Sequence, residues 1–298
     1  MALLECRKLN KKIGTYRLKD IDFTLEAGMV LGLIGVNGCG KTTLLRSVMG
    51  SYRLDPDPED GGELFLNGKH FAKEEKAYRS AIAYVLENYP FSLNMNAREI
   101  GDRYGYYYPG FDLKKNKALL EKYEVPEKMV ASRLSKGQKI RSQLAFALSY
   151  PAKLYILDEP AGNLDVEFRD AFYQEIRTLV ADEECAVIIS SHLVTELEQI
   201  ADELLWIGRA GDEGTVRYFG SVDDMRDRYR LLSIDSKEEA SIPDKLITGK
   251  RIRETHSEYL LQGTKEDFGQ MLPVGLQGSL RYPSLQEIMY YTEKGGER

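Results

Sequence analysis

The stretch Gly35-Val36-Asn37-Gly38-Cys39-Gly40-Lys41-Thr42-Thr43 decides how the rest of the chain is read. The apolar run Met29-Val30-Leu31-Gly32-Leu33-Ile34 leads into it, and Leu44, Leu45 and Val48 follow at helical spacing. Strand, glycine-rich turn and helix in that order predict a phosphate-cradling P-loop. The glycines let successive backbone N–H groups turn onto one anion, and the helix adds the positive end of its dipole. The expected phosphate contacts are Asn37, Gly38, Cys39, Gly40, Lys41, Thr42 and Thr43. Lys41 would reach the β- and γ-phosphates, and the Thr42 hydroxyl would ligate Mg²⁺. A nucleoside triphosphate is the ligand class this loop implies.

Outside the loop, 298 residues allow one large domain or two modest ones, with room for a substantial core. At 43% apolar and 30% charged residues the composition is that of an ordinary globular protein. A net charge of −6 argues against nucleic acid as a partner. No apolar run approaches the ~20 residues that span a bilayer. The first residues, Met1-Ala2-Leu3-Leu4-Glu5-Cys6-Arg7-Lys8, carry charges where a signal peptide places apolar ones. Cys6, Cys39 and Cys185 are scattered and odd in number, so no disulfide framework is expected. The expectation is a cytosolic chain whose membrane role would come through a partner.

Short apolar segments at Leu3–Cys6 and Ile21–Leu25 predict antiparallel strands ahead of the P-loop strand. Gly50 closes the P-loop helix, Asp55 to Gly62 reads as a loop, and Glu63–Gly68 reads as a strand with a hairpin signal. The chain is helical in pattern from Asn94 to Tyr150, with Ile140, Leu144, Ala147 and Leu148 on one face. Two buried-strand patterns, Lys153–Leu157 and Ala186–Ser190, flank a helix from Val166 to Val180, which implies a parallel sheet with crossover helices. Residues 221–298 are more mixed, with strands near Leu231–Ile234 and Tyr259–Leu261 and a final helix opened by a Ser284–Glu287 capping box.

Leu154-Tyr155-Ile156-Leu157-Asp158-Glu159 delivers two carboxylates from the end of an apolar strand. Asp158 is placed to hold Mg²⁺, and Glu159 to act as general base toward an attacking water. Between the two phosphate motifs lies Leu134-Ser135-Lys136-Gly137-Gln138, directly before an amphipathic helix. Here the chain resembles the ATP-binding cassette (ABC) ATPases, whose signature is Leu-Ser-Gly-Gly-Gln; the third position is lysine in this chain. The resemblance implies an α/β P-loop fold with an antiparallel β subdomain, a helical signature subdomain (about residues 90–150) and a small α+β extension. It spans residues 1–220 as the ATPase domain and leaves 221–298 as an accessory region. In the family the signature contacts the γ-phosphate of ATP held on a second subunit, so Ser135, Gly137 and Gln138 are implied nucleotide contacts in a dimer. Ala161-Gly162-Asn163-Leu164-Asp165 matches the D-loop, with Asp165 at its aspartate, and His192 matches the switch histidine. That histidine would donate to phosphate and leave Glu159 free as the base.

Two positions depart from the commonest pattern. Glu87 stands where the family's Q-loop glutamine should follow a strand. A carboxylate can still ligate Mg²⁺. Its repulsion of the γ-phosphate, at ~4 Å and an effective dielectric of ~20, is ~4 kcal/mol before the metal offsets it. Glu87 is therefore expected to engage the metal or to stay protonated when ATP is bound. The adenine-stacking aromatic is Tyr16 by spacing from Lys41, or its place falls on Ile13 if one gap is allowed. Cys39, between two glycines at a helix start, is expected to carry a lowered thiol pKa and to label quickly unless ATP covers it. The aromatic run Tyr104-Gly105-Tyr106-Tyr107-Tyr108-Pro109-Gly110-Phe111 reads either as an interface anchor or as internal packing of the helical subdomain.

Roughly 90 residues between Lys41 and Leu134 leave no room for a long coiled coil, and a single cassette argues against the paired-cassette translation factors. The resemblance thus implies the ATPase subunit of a transporter, paired with a second copy or a paralogue. It would drive a separate transmembrane permease from the cytoplasmic face of the membrane. Glu87 and Leu-Ser-Lys-Gly-Gln most resemble bacterial exporters, including those for antimicrobial and cytolytic peptides. The alternatives are an importer ATPase and a soluble ABC ATPase with a regulatory role.

Overall fold

Apolar alternation and apolar runs sort the strands into two kinds. β1 (Ala2–Ile13) and β2 (Tyr16–Glu26) alternate buried and exposed residues along much of their length and pair antiparallel. Gly14, at φ 62°, makes the turn between them. By contrast β3 (Val30–Ile34) is buried at every position, as a strand covered on both faces must be. β4 (Glu63–Leu66) and β5 (Lys69–His70) form the expected hairpin, with Asn67 and Gly68 both at positive φ. β6 (Ile82–Val85), β7 (Leu154–Asp158), β8 (Ala186–Ser190), β9 (Glu203–Ala210) and β10 (Glu213–Ser221) complete the sheet. The structure is a computed structural model that describes residues 2–54, 61–162, 164–192, 194–235, 242–252, 256–277 and 279–294. The loop expected over residues 55–60 and the D-loop position Asn163 lie outside these residues.

The ten strands run in the order β5-β4-β1-β2-β10-β9-β3-β8-β7-β6. β6, β7, β8, β3 and β9 are mutually parallel, while β1 pairs antiparallel with both β2 and β4. This is an α/β mixed sheet with an antiparallel β subdomain, as expected. Its core is built from the inward residues of both halves, among them Leu4, Leu18, Leu31, Leu45, Tyr78 and Ile156. The crossover helices are α1 (Lys41–Val48), α2 (Glu75–Ser80), α3 (Ala97–Tyr104), α4 (Leu113–Lys122), α5 (Lys136–Ala147), α6 (Val166–Val180) and α7 (Val194–Ile200). α3 to α5 form the helical segment, and Asn96, Asp112 and Ser135 each cap a helix start through their side chains.

The chain packs as two units: Met1–Leu193 with Ile200–Phe219, and Val194–Gln199 with Gly220–Arg298. Besides α7, the second contains α8 (Val222–Asp227) and the antiparallel strands β11 (Tyr229–Asp235), β12 (Ile247–Ile252), β13 (His256–Gln262) and β14 (Leu280–Arg281). They are ordered β12-β13-β11-β14. Its own core gathers Leu232, Tyr259, Leu261 and Phe268. α9 (Lys265–Met271), α10 (Val274–Gln277) and α11 (Leu285–Lys294) complete it. At the start of α11 the Ser284 amide donates to Glu287 Oε2 at 2.9 Å and the Glu287 amide to Ser284 Oγ at 3.2 Å, the reciprocal cap read from the sequence.

Candidate nucleotide site

Parallel register brings the functional residues together. Ile34, Val85, Asp158 and Ser190 are the last residues of neighbouring parallel strands, so the loops that follow them open on one edge of the sheet. That carboxyl edge is where open α/β sheets place their ligands. From β3 the chain turns through Gly35, Gly38 and Gly40, at φ 148°, 78° and 98°, conformations that L side chains rarely adopt. A Cβ on Gly40 would stand 2.6 Å from the Tyr16 hydroxyl and 2.7 Å from Leu18. Gly40 then opens α1 with no side-chain cap, so the first N–H groups of the helix face the loop. Lys41 is buried, with Nζ donating to the Gly35 carbonyl at 2.7 Å, which fixes its ammonium inside the curl of the loop.

A cleft of about 260 Å³ lies against this loop. It is lined by Tyr16, Asn37, Gly38, Gly40, Lys41, Thr42, Thr43, Glu87, Asp158 and Glu159. Ten of the residues expected at the nucleotide are therefore gathered on one surface.

The β7–β8 register pairs Asp158 directly with Ser190. Ser190 Oγ donates to Asp158 Oδ1 at 2.7 Å, and the Glu159 amide donates back to Ser190 Oγ at 3.0 Å. One buried hydroxyl thus fixes both carboxylate-bearing residues. In the sequence Ser190 stands only as a strand end; its signal is a polar residue closing a buried apolar strand beside the strand that ends in Asp158. The other Asp158 oxygen, Oδ2, accepts from Thr42 Oγ1 at 3.3 Å. Glu159 itself sits at φ 51°, a left-handed conformation that costs a non-glycine residue about 1–2 kcal/mol. Its amide bonds to the carbonyl and hydroxyl of Ser190 hold it there.

His192 does not leave Glu159 free, contrary to the expectation. Its Nδ1 lies 2.5 Å from Glu159 Oε2, and its backbone N–H donates to the same oxygen at 3.1 Å. Both residues follow adjacent strand ends, and the turn after β8 aims the imidazole back at the carboxylate. Gly162 of the D-loop lies alongside, where a Cβ would come 3.4 Å from His192 Cε1.

The signature residues lie at the start of α5. Ser135 and Gln138 form a capping box, the Gln138 amide donating to Ser135 Oγ at 3.1 Å and the Ser135 amide to Gln138 Oε1 at 3.0 Å. The Gln138 side chain is thereby engaged in its own helix cap and not directed outward. Ser135 is exposed and Gly137 half-buried. Asp165 caps α6, accepting from the Phe168 amide at 2.9 Å, and pairs with Arg141. The Phe168 amide and Arg141 hold its carboxyl below the usual range. It does not line the P-loop cleft within its own chain, because these two bonds draw it toward α5 and α6. Behind the signature, the buried amide of Gln143 clamps Leu86, accepting from its N–H at 2.9 Å and donating to its carbonyl at 3.0 Å.

Tyr16 lines the cleft, but its hydroxyl donates to the Cys39 carbonyl, and burial together with nearby Cys39 pushes its pKa up to about 12. It braces the P-loop backbone, and Ile13 stands exposed at the neighbouring strand end. The Cys39 expectation is corrected. Its thiol is fully buried against Gly35, where a Cβ would come 2.5 Å from Sγ, and its amide donates to the Val36 carbonyl at 3.1 Å. The turn geometry folds the side chain under the loop instead of presenting it to solvent. The aromatic run divides between its two readings. Tyr108 and Phe111 pack on Phe146 and Tyr150, whereas Tyr106 and Tyr107 are 89% and 71% exposed.

Thr42 and Asp158 offer adjacent hard oxygens, and Glu87 lines the same cleft, so the donor set suits Mg²⁺, which takes few protein ligands beside phosphate and water.

The fold is the α/β P-loop fold of the ATP-binding cassette ATPases, and the site is similar to theirs. Residues 18–162 match the family model described as ABC transporter. The ABC transporter ATP-binding protein YtrB of Bacillus subtilis (strain 168) is 29% identical over 230 residues, covering 76% of this chain and 75% of that one. The phosphonates import ATP-binding protein PhnC of Treponema denticola is 29% identical over 262 residues, covering 80% and 99%. Among solved structures, an ATP-binding subunit of an ABC transporter superposes with a TM-score of 0.65 at 25% identity, over 75% of this chain and 92% of that chain. A dimeric post-hydrolysis cassette bound to ADP and Pi shares the fold, with a TM-score of 0.62 at 19% identity over 74% and 98%.

Proposed function

We propose that this chain hydrolyses ATP as one of two cassettes that together drive a separate transmembrane permease. The observation that carries the reading is the cluster at the P-loop mouth: Lys41 inside the loop, Thr42 on Asp158, Ser190 beneath both acidic residues, and His192 on Glu159. ATP phosphates would lie on the loop amides and Lys41. Mg²⁺, held by Thr42 and Asp158 with Glu87 in reach, would neutralise charge on them. Glu159 would take the proton of the attacking water, and His192 would orient that carboxylate and donate toward the γ-phosphate. The exposed Ser135 and the half-buried Gly137 would contact ATP on a second copy or paralogue of the chain, an arrangement supported by the dimeric cassette of the same fold. Tyr16 would support the nucleotide by bracing the loop.

We further propose export as the direction, on Glu87 and Leu-Ser-Lys-Gly-Gln, with antimicrobial or cytolytic peptides as a cargo class. The relatives include import ATPases, so the pattern at these two positions is the support for export. The place of action would be the cytoplasmic membrane face: no helix among the described residues is long and apolar enough to cross a membrane. Purification from solubilised membranes tests this. A stoichiometric multi-span protein whose addition raises ATP turnover is expected. Full turnover with no membrane partner would favour a free-standing regulatory ATPase.

A further inference from the structure

The two departures from the family motifs, Glu87 and Lys136, carry opposite charges and line one cleft. This second cleft, of about 380 Å³, is bounded by Glu87, Tyr89, Leu93, Lys136, Lys139 and Ile140. Glu87 lines the P-loop cleft as well, so one carboxylate borders both. Lys136 and Lys139 sit in the opening residues of α5, and no acidic residue lies in its first turn. Cations there oppose the helix dipole, so they do not serve the helix. Their placement relative to Glu87 is fixed by two tethers on the same helix. Gln143 clamps both backbone groups of Leu86, and Ser142 Oγ lies 3.4 Å from the Tyr89 hydroxyl. The residues on either side of Glu87 are thus tied to the helix that carries the lysines.

We propose that Lys136 and Lys139 are positioning residues for Glu87, drawing its carboxylate into the signature cleft and away from the phosphates of bound nucleotide. The proposal rests on the ATPase reading above. Without the lysines the carboxylate swings into the P-loop cleft, where its repulsion weakens nucleotide binding. With them, the signature helix reports its position to the nucleotide through the direction Glu87 faces.

Fixed charges act additively on bound ATP; only movement of the carboxylate makes the lysines' effect depend on Glu87. A double-mutant cycle therefore separates the two. The probe is mant-ATP fluorescence without Mg²⁺, where carboxylate–phosphate repulsion is greatest. Lys136→Gln/Lys139→Gln should raise Kd on the order of tenfold with Glu87 present, the scale of one nearby charge at a protein surface. The same pair in a Glu87→Gln background should raise it less than threefold. An equal penalty in both backgrounds, or none in either, overturns the proposal while leaving the ATPase reading intact. Failure of the wild-type chain to bind mant-ATP would overturn that reading, and this one with it.

Discussion

Ser190→Ala removes one oxygen and is expected to damage both stability and turnover. Ser190 is fully buried, and Asp158 is 5% exposed. The lost bond is the 2.7 Å donation to Asp158 Oδ1, a hydrogen bond to a charged acceptor worth about 1.5–3 kcal/mol. The Glu159 amide keeps a partner, because it also donates to the Ser190 carbonyl at 3.2 Å, so its loss adds little. A total near 2 kcal/mol follows, with Asp158 as its main source. For a folded unit of about 200 residues, each kcal/mol moves Tm by about 2–4 °C, giving a drop of about 4–8 °C. Turnover should suffer too, since Asp158 and Glu159 lose their common anchor; a misplacement near 1 Å costs on the order of 100-fold. Calorimetry, and phosphate release at saturating ATP across a Mg²⁺ titration, measure the two effects. A Tm within 1 °C of wild type together with turnover within twofold would refute the argument that Ser190 organises this edge.

Cys6, Cys39 and Cys185 are all buried, so maleimide should label the folded chain slowly, with or without ATP, and rapidly in urea. Fast labelling of Cys39 that ATP blocks would contradict its placement under the loop. In the second unit, Arg281 pairs with Glu287 and holds its carboxyl down at about 2 from an ordinary 4.5. A depressed carboxyl stabilises the fold above pH 4.5, and that contribution fades as pH falls toward 2. Glu287→Gln should therefore weaken the second unit by on the order of 1 kcal/mol at neutral pH, given solvent screening of the pair. Variant and wild type should converge near pH 2, read by hydrogen exchange of α11; a difference that grows with acid would contradict the pairing.

Much of the site was legible because its chemistry is local in sequence. The P-loop, Asp158-Glu159 and the signature each occupy a few consecutive residues, and the strand or helix carrying each has a strong apolar pattern. The helix from Val166 to Val180 and the cap at Ser284 were equally plain, since capping is a short-range interaction. Ser190 and Gln143 carry no such local signal, for the opposite reason. Ser190 meets Asp158 across 32 residues and Gln143 meets Leu86 across 57, contacts set by strand register and helix docking. The burial of Cys39 is hidden in the sequence because its neighbours suggest an open turn, whereas the φ values of Gly38 and Gly40 fold its side chain inward. In the second unit, β12 carries polar residues at positions a strand pattern would leave apolar, so Ile247–Ile252 gave no signal.

The central claim is that Glu159 performs chemistry at a site whose binding belongs to the P-loop. Glu159→Gln, assayed side by side for mant-ATP binding and for phosphate release, tests it most directly. Binding should stay within threefold of wild type and turnover should fall at least 100-fold, with an ATP-dependent dimer accumulating by light scattering. Phosphate release at the wild-type rate in that variant would contradict the account.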